Sequence, residues 1–97
     1  MTATYTLAFK TSALKEWHRL DKPVQTQFKK KLAERLQQPH VPAAKLAGLP
    51  NAYKVKLRAT GFRLVYEVND QTVTVTVVAV GKQEDNAVCQ TARARIS

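Results

Sequence analysis

The chain has 97 residues, 44% of them hydrophobic, and 16 Lys plus Arg against 7 Asp plus Glu give it a formal charge of +9. That length suits one compact domain, 1–97, rather than two, and the apolar content is too high and too well patterned for a disordered tail. The charge draws polyanions, whether nucleic acid, anionic membrane or an acidic protein, while the single Cys89 excludes an internal disulfide.

Tyr5 to Phe9 alternates large and small side chains and suits a short strand. Thr11 or Ser12 then offers a cap for a helix over Ala13 to Leu20, with Leu14 and Trp17 on one face. Asp21 is the next N-cap, and Pro23 falls in the first turn, where its missing N–H does no harm. Val24, Phe28, Leu32 and Leu36 recur every four residues, an apolar stripe on a helix that ends near Gln38. Lys29, Lys30, Lys31 and Arg35 occupy its other faces. With almost nothing joining them, the two helices are expected to form an antiparallel hairpin.

Pro39-His40-Val41-Pro42 opens a loop that runs through Gly48 and Pro50. Ala52 to Arg58 then alternates strictly, Tyr53, Val55 and Leu57 against Lys54, Lys56 and Arg58. Thr60-Gly61 is a tight turn, Phe62 to Val68 a second strand, and Asn69-Asp70 a hairpin turn. Thr72 to Val80 is a β-branched run ended by Gly81, and Glu84, Asp85 and Asn86 open a last helix. The order predicts an α+β fold: strand, helical hairpin, three-stranded antiparallel meander, C-terminal helix. The hairpin covers one sheet face, and the basic face is expected to stay open.

Lys54, Lys56 and Arg58 project from one side of a strand at a spacing of roughly 7 Å, near the phosphate repeat of an extended single strand. Arg63 joins them across the turn if the register keeps the polar faces together. Such a face could cleave RNA. The 2′-hydroxyl attacks its own phosphodiester once a base removes its proton, crowding lowers a lysine's pKa, and arginine stabilises the phosphorane. Either Lys54 or Lys56 could be the base. The sequence offers no HExxH, no paired Cys and His and no carboxylate cluster, so neither metal nor cofactor is expected. His18 and His40 are read as structural or solvated rather than catalytic.

Tyr53-Lys54-Val55-Lys56-Leu57-Arg58-Ala59-Thr60-Gly61-Phe62-Arg63-Leu64-Val65-Tyr66 resembles the signature of the RelE family of bacterial toxins. Leu14-Lys15-Glu16-Trp17, Ala44-Lys45-Leu46 and Val80-Gly81-Lys82 strengthen the likeness, which spans nearly the whole chain. The resemblance implies a microbial-ribonuclease-like fold and a cytoplasmic toxin of a type II toxin-antitoxin system. It implies an endoribonuclease, an mRNA interferase that enters the A site of the 70S ribosome and cuts the mRNA codon there. It also implies a RelB-like antitoxin, operator DNA bound only together with that antitoxin, and no membrane partner. On the matching positions, Lys54 and Lys56 are the catalytic lysine pair and Arg63 stabilises the phosphorane, while Lys45, Arg58 and Lys82 hold RNA.

Three positions depart from the family pattern. Ala47 stands where relatives carry an RNA-binding arginine, Gln83 where they carry a main catalytic cation, and Cys89 where a tyrosine packs on the reacting nucleotide. Gln83 has no charge and Cys89 cannot stack, so the expected activity is attenuated or lost. Two rivals follow: a ParE-like toxin that targets gyrase, and a catalytically dead homologue that acts by binding its antitoxin and other partners.

Overall fold

The structure is a computed structural model and describes residues 4–82 and 87–96. Its elements are β1 (Thr6–Phe9), α1 (Thr11–His18), α2 (Lys22–Gln37), a 3-10 turn at Pro42–Ala44, β2 (Ala52–Leu57), β3 (Phe62–Asn69), β4 (Thr74–Lys82) and α3 (Ala87–Ile96). This is the expected α+β order. The strands form one sheet in the order β1-β4-β3-β2. β2, β3 and β4 make the antiparallel meander, while β1 joins β4 in parallel, Thr6 opposite Thr74 and Phe9 opposite Val77. β1 and β2 are therefore the sheet's edges.

Local chemistry explains where the helices begin. Neither Thr11 nor Ser12 caps α1. Sheet pairing holds Lys10, whose N–H donates to Val77, so the chain passes straight from strand into helix and the Lys10 carbonyl accepts from Leu14. Asp21 does occupy the cap position of α2, through its backbone carbonyl to the Gln25 N–H and not through its side chain. The stripe on α2 is buried at Val24, Phe28 and Leu32, and Trp17 of α1 lies between Phe9 and Phe28 at centroid distances of 5.4 and 6.1 Å. α1 packs on β4 and α2 on β2, and together they bury one sheet face.

The opposite face is not open, which corrects the expectation from sequence. α3 lies on it and builds a second core from Leu46, Ala52, Val65, Val78, Ala79, Val88, Cys89 and Ala92. A β-bulge opposite the Val65–Tyr66 step inserts Val78, so both Val78 and Ala79 reach this core. Gly81 admits the helix, since a Cβ there would lie 3.3 Å from Cγ2 of Val88. The strand pattern hid this core because its residues are small and stand between charges, as Val65 does between Arg63 and Glu67.

β4 starts at Thr74 and runs through Gly81 to Lys82, later at both ends than expected. In the preceding turn Asn69 Oδ1 accepts from the Gln71 and Thr72 N–H groups at 3.0 and 3.1 Å. The positive φ falls on Val73 (52°) and not on Asn69 or Asp70. Beyond Val77 the flank of β4 has no strand partner among the described residues. There Val80 N–H donates to Glu16 Oε1 (3.2 Å) and Arg95 Nη1 donates to the Val78 carbonyl (2.7 Å). Glu16 and Arg95 are themselves paired at 2.9 Å, so one ion pair clips α1, β4 and α3 together. The acidic start expected for the last helix lies outside the described residues.

Candidate functional site

Register decides which charges share a face. Lys56 pairs with Arg63 and Arg63 with Gly81, so these three positions form a row across β2, β3 and β4. Lys54, Val65 and Ala79 form the adjacent row on the same side. The structure therefore brings Lys54, Lys56 and Arg63 together, as the alternation predicted. α3 forms one wall of the face: Cys89, buried, receives Arg63 Nη1 at 3.9 Å from Sγ.

The neighbours change Lys56. The Lys54 ammonium, then the Arg63 guanidinium, then lost hydration and Arg58 push its pKa below the ordinary lysine range; Cys89 works the other way. Like charges disfavour another ammonium, so the neutral amine becomes more accessible.

The other predicted positions are placed less uniformly. Arg58 follows β2 and is exposed. Lys45 is exposed and bridges to Tyr53, whose side chain packs in the main core, so this pairing sets it off the face that bears Lys54 and Lys56. Lys82 pairs with Phe62, whose side chain packs on the α1–α2 core, so the pleat turns it from the Arg63 side. Gln83 lies outside the described residues. Ala47, read from sequence as leaving one RNA-binding cation missing, offers its carbonyl to Arg93 of α3, which brings a guanidinium to that loop.

Two further cations were missed by reading the strands alone. Lys31 and Arg35, four residues apart on α2, flank the edge of β2 beside Lys54, Lys56 and Arg58 in an open groove of about 330 Å3. Arg35 Nη1 donates to the Lys54 carbonyl at 3.3 Å and to the Tyr66 hydroxyl at 3.0 Å. Their i, i+4 spacing beside the apolar stripe was the available signal. His40 is structural, bonding the Tyr53 hydroxyl through Nδ1 (3.0 Å) and Asp70 Oδ1 through Nε2 (2.8 Å), while Tyr5 donates to the same oxygen (2.6 Å). Phe62 packs, half-buried, on the main core. No group of three or more metal-ligating side chains occurs among the described residues.

The family profile described as the ParE toxin of the type II toxin-antitoxin system, parDE, matches residues 7–87. The mRNA interferase toxin RelE of Escherichia coli K12 is 50% identical over 92 residues, covering 95% of this chain and 97% of its own. A mutant of E. coli toxin RelE in the free state superposes with a TM-score of 0.90 at 48% identity, covering 98% of this chain and 100% of that one. The toxin of the intact E. coli RelBE toxin-antitoxin complex gives 0.80 at 52% identity, covering 82% and 98%. The chain belongs to the RelE family of type II toxins.

Proposed function

We propose that this toxin is a metal-independent endoribonuclease that cleaves mRNA in the ribosomal A site, with Lys56 as general base. The observation that carries the reading is the Lys54–Lys56–Arg63 cluster, in which neighbouring cations lower the pKa of Lys56. Neutral Lys56 takes the proton of a 2′-hydroxyl, whose oxygen bonds to the adjacent phosphorus. Arg63 and Lys54 stabilise the added charge of the phosphorane. The P–O5′ bond breaks, the leaving oxygen takes a proton from water, and the products are a 2′,3′-cyclic phosphate and a 5′-hydroxyl. Arg58 holds the RNA backbone beside this cluster, whereas Lys45 and Lys82, paired opposite core-facing Tyr53 and Phe62, stand off its face. The ribosome supplies the alignment of the codon that the cationic row alone does not.

Solved E. coli RelE structures include complexes with RelB or a RelB peptide. A RelB-like antitoxin is accordingly the proposed partner, with operator DNA bound only jointly and the cytoplasm as the compartment. Gln83 and Cys89 leave the cleavage set short of one cation and one stacking ring, so the activity is attenuated.

The test is cleavage of mRNA on programmed 70S ribosomes with an empty A site. Cuts within the A-site codon, reduced about 10²- to 10⁴-fold in Lys56→Ala, are expected of a lost general base. Equal cutting by Lys56→Ala would overturn the role. Inhibition of gyrase supercoiling without cleavage would replace the reading by a ParE-like one.

A further inference from the structure

The groove between α2 and β2 lies behind the proposed cleavage face, round the free edge of the sheet. Lys31 and Arg35 enter it from the helix, and Lys54, Lys56 and Arg58 from the strand and its turn. No acidic residue lines it among the described residues. A neighbouring hollow shares Lys31 and Arg58 with it and adds Lys30, along with one carboxylate, Glu34. Among the described residues, the side chains of Lys31, Lys54, Lys56 and Arg58 make no hydrogen bond or ion pair. Five cations converge in the groove itself with no carboxylate lining it among the described residues, and their mutual repulsion is relieved when an anion enters.

We propose that this groove is a phosphodiester-binding site that carries single-stranded RNA from the Lys56 face round the edge of β2 onto α2. The inference rests on the ribonuclease reading for the identity of the strand. Three features favour a nucleic-acid backbone over an acidic peptide. An added peptide strand needs the outward carbonyls of the edge, yet Ala52 gives its carbonyl to Leu46 and Lys54 gives its carbonyl to Arg35. The apolar part of the groove is small, chiefly Val41, Ala43 and Ala44, and offers little to anchor peptide side chains. The cations alternate along β2 and then continue at i, i+4 on α2, a curved track of point charges suited to successive phosphates.

The experiment measures fluorescence anisotropy of a labelled twelve-nucleotide single-stranded RNA across a salt series. Wild-type protein is compared with Lys31→Glu and with Lys29→Glu, an exposed α2 position outside the groove that carries the same charge change. Lys31→Glu is expected to weaken binding about tenfold and to flatten log K against log salt by about 0.7 or more, the loss of at least one phosphate contact. Lys29→Glu should change affinity less than about twofold. Equal losses in the two variants would show only bulk attraction and overturn the site. So would a Lys31→Glu defect towards a poly-glutamate peptide with RNA affinity intact, which would assign the groove to an acidic protein. Arg35→Lys checks the corner: keeping the charge but losing the fork should lower affinity by a smaller factor than Lys31→Glu. Binding is read here without cleavage, so a Lys56→Ala protein that still cuts ribosomal mRNA would defeat the ribonuclease mechanism and leave the anisotropy result to judge the groove.

Discussion

Lys56 and Lys54 sit two residues apart with Arg63 opposite Lys56, so removing the Lys54 or the Arg63 charge retunes Lys56. The lowered pKa of Lys56 has Lys54 as its largest cause. If neutral Lys56 is the base, the cleavage rate rises with pH until the lowered pKa is passed and then levels off. Lys54→Met should move that limb to higher pH, a shift read from single-turnover rates at several pH values; an unmoved limb would remove Lys56 as the titrating group. Cys89 is buried against Arg63. Under the proposed function, Gln83→Arg adds a cation next to Lys82 in the sequence and is expected to raise the rate about 10²-fold, the usual worth of one such donor. Cys89→Tyr should add less, because the larger ring must first displace packing around Val88 and Ala92.

At the scale of elements, the polar contacts under the strands hold the face in place. Tyr66 is fully buried, and its hydroxyl donates to Pro39 O while accepting from Arg35. Tyr66→Phe leaves a carbonyl and a guanidinium N–H without this partner and should cost about 1–3 kcal/mol, checked by urea unfolding. Asp70 is held below the ordinary carboxylate range, first by the Tyr5 hydroxyl and then by His40. A depressed folded pKa contributes stability above the unfolded value and loses it as pH falls through the folded one. Asp70→Asn should therefore make the acid limb of the stability curve shallower. The turn before β4 places Val73 at φ 52°, a region that disfavours β-branched residues. Val73→Asn is expected to stabilise the chain by about 1 kcal/mol.

Across the whole molecule, strand alternation, the α2 stripe and the turn residues made most of the fold legible. Alternation and turns revealed the meander and put Lys54, Lys56 and Arg63 on one side, because these two signals are local in sequence. What stayed hidden depends on distant packing. The parallel partner of β1, the second core under α3, and the approach of Lys31 and Arg35 to the edge of β2 join segments that carry no mutual periodicity. The Val78 bulge was equally invisible, since an inserted valine in a β-branched run looks like any other. The +9 charge reads differently once placed: much of it gathers on one edge hairpin and the helix beside it, rather than as an even coat.

The parallel pairing of β1 with β4 also orders events in time. Thr6 meets Thr74, a separation of 74 − 6 = 68 residues. At roughly 5–20 residues per second of synthesis, β1 is made about 3 to 14 s before its partner. The N-terminal strand therefore waits with its hydrogen-bonding edge unpaired while helices and meander are made. Long-range parallel closure is intrinsically slow. A freshly made chain should thus acquire its helices and its meander before the first strand docks, a sequence that pulsed amide exchange during refolding would display as late protection of Thr6 to Phe9.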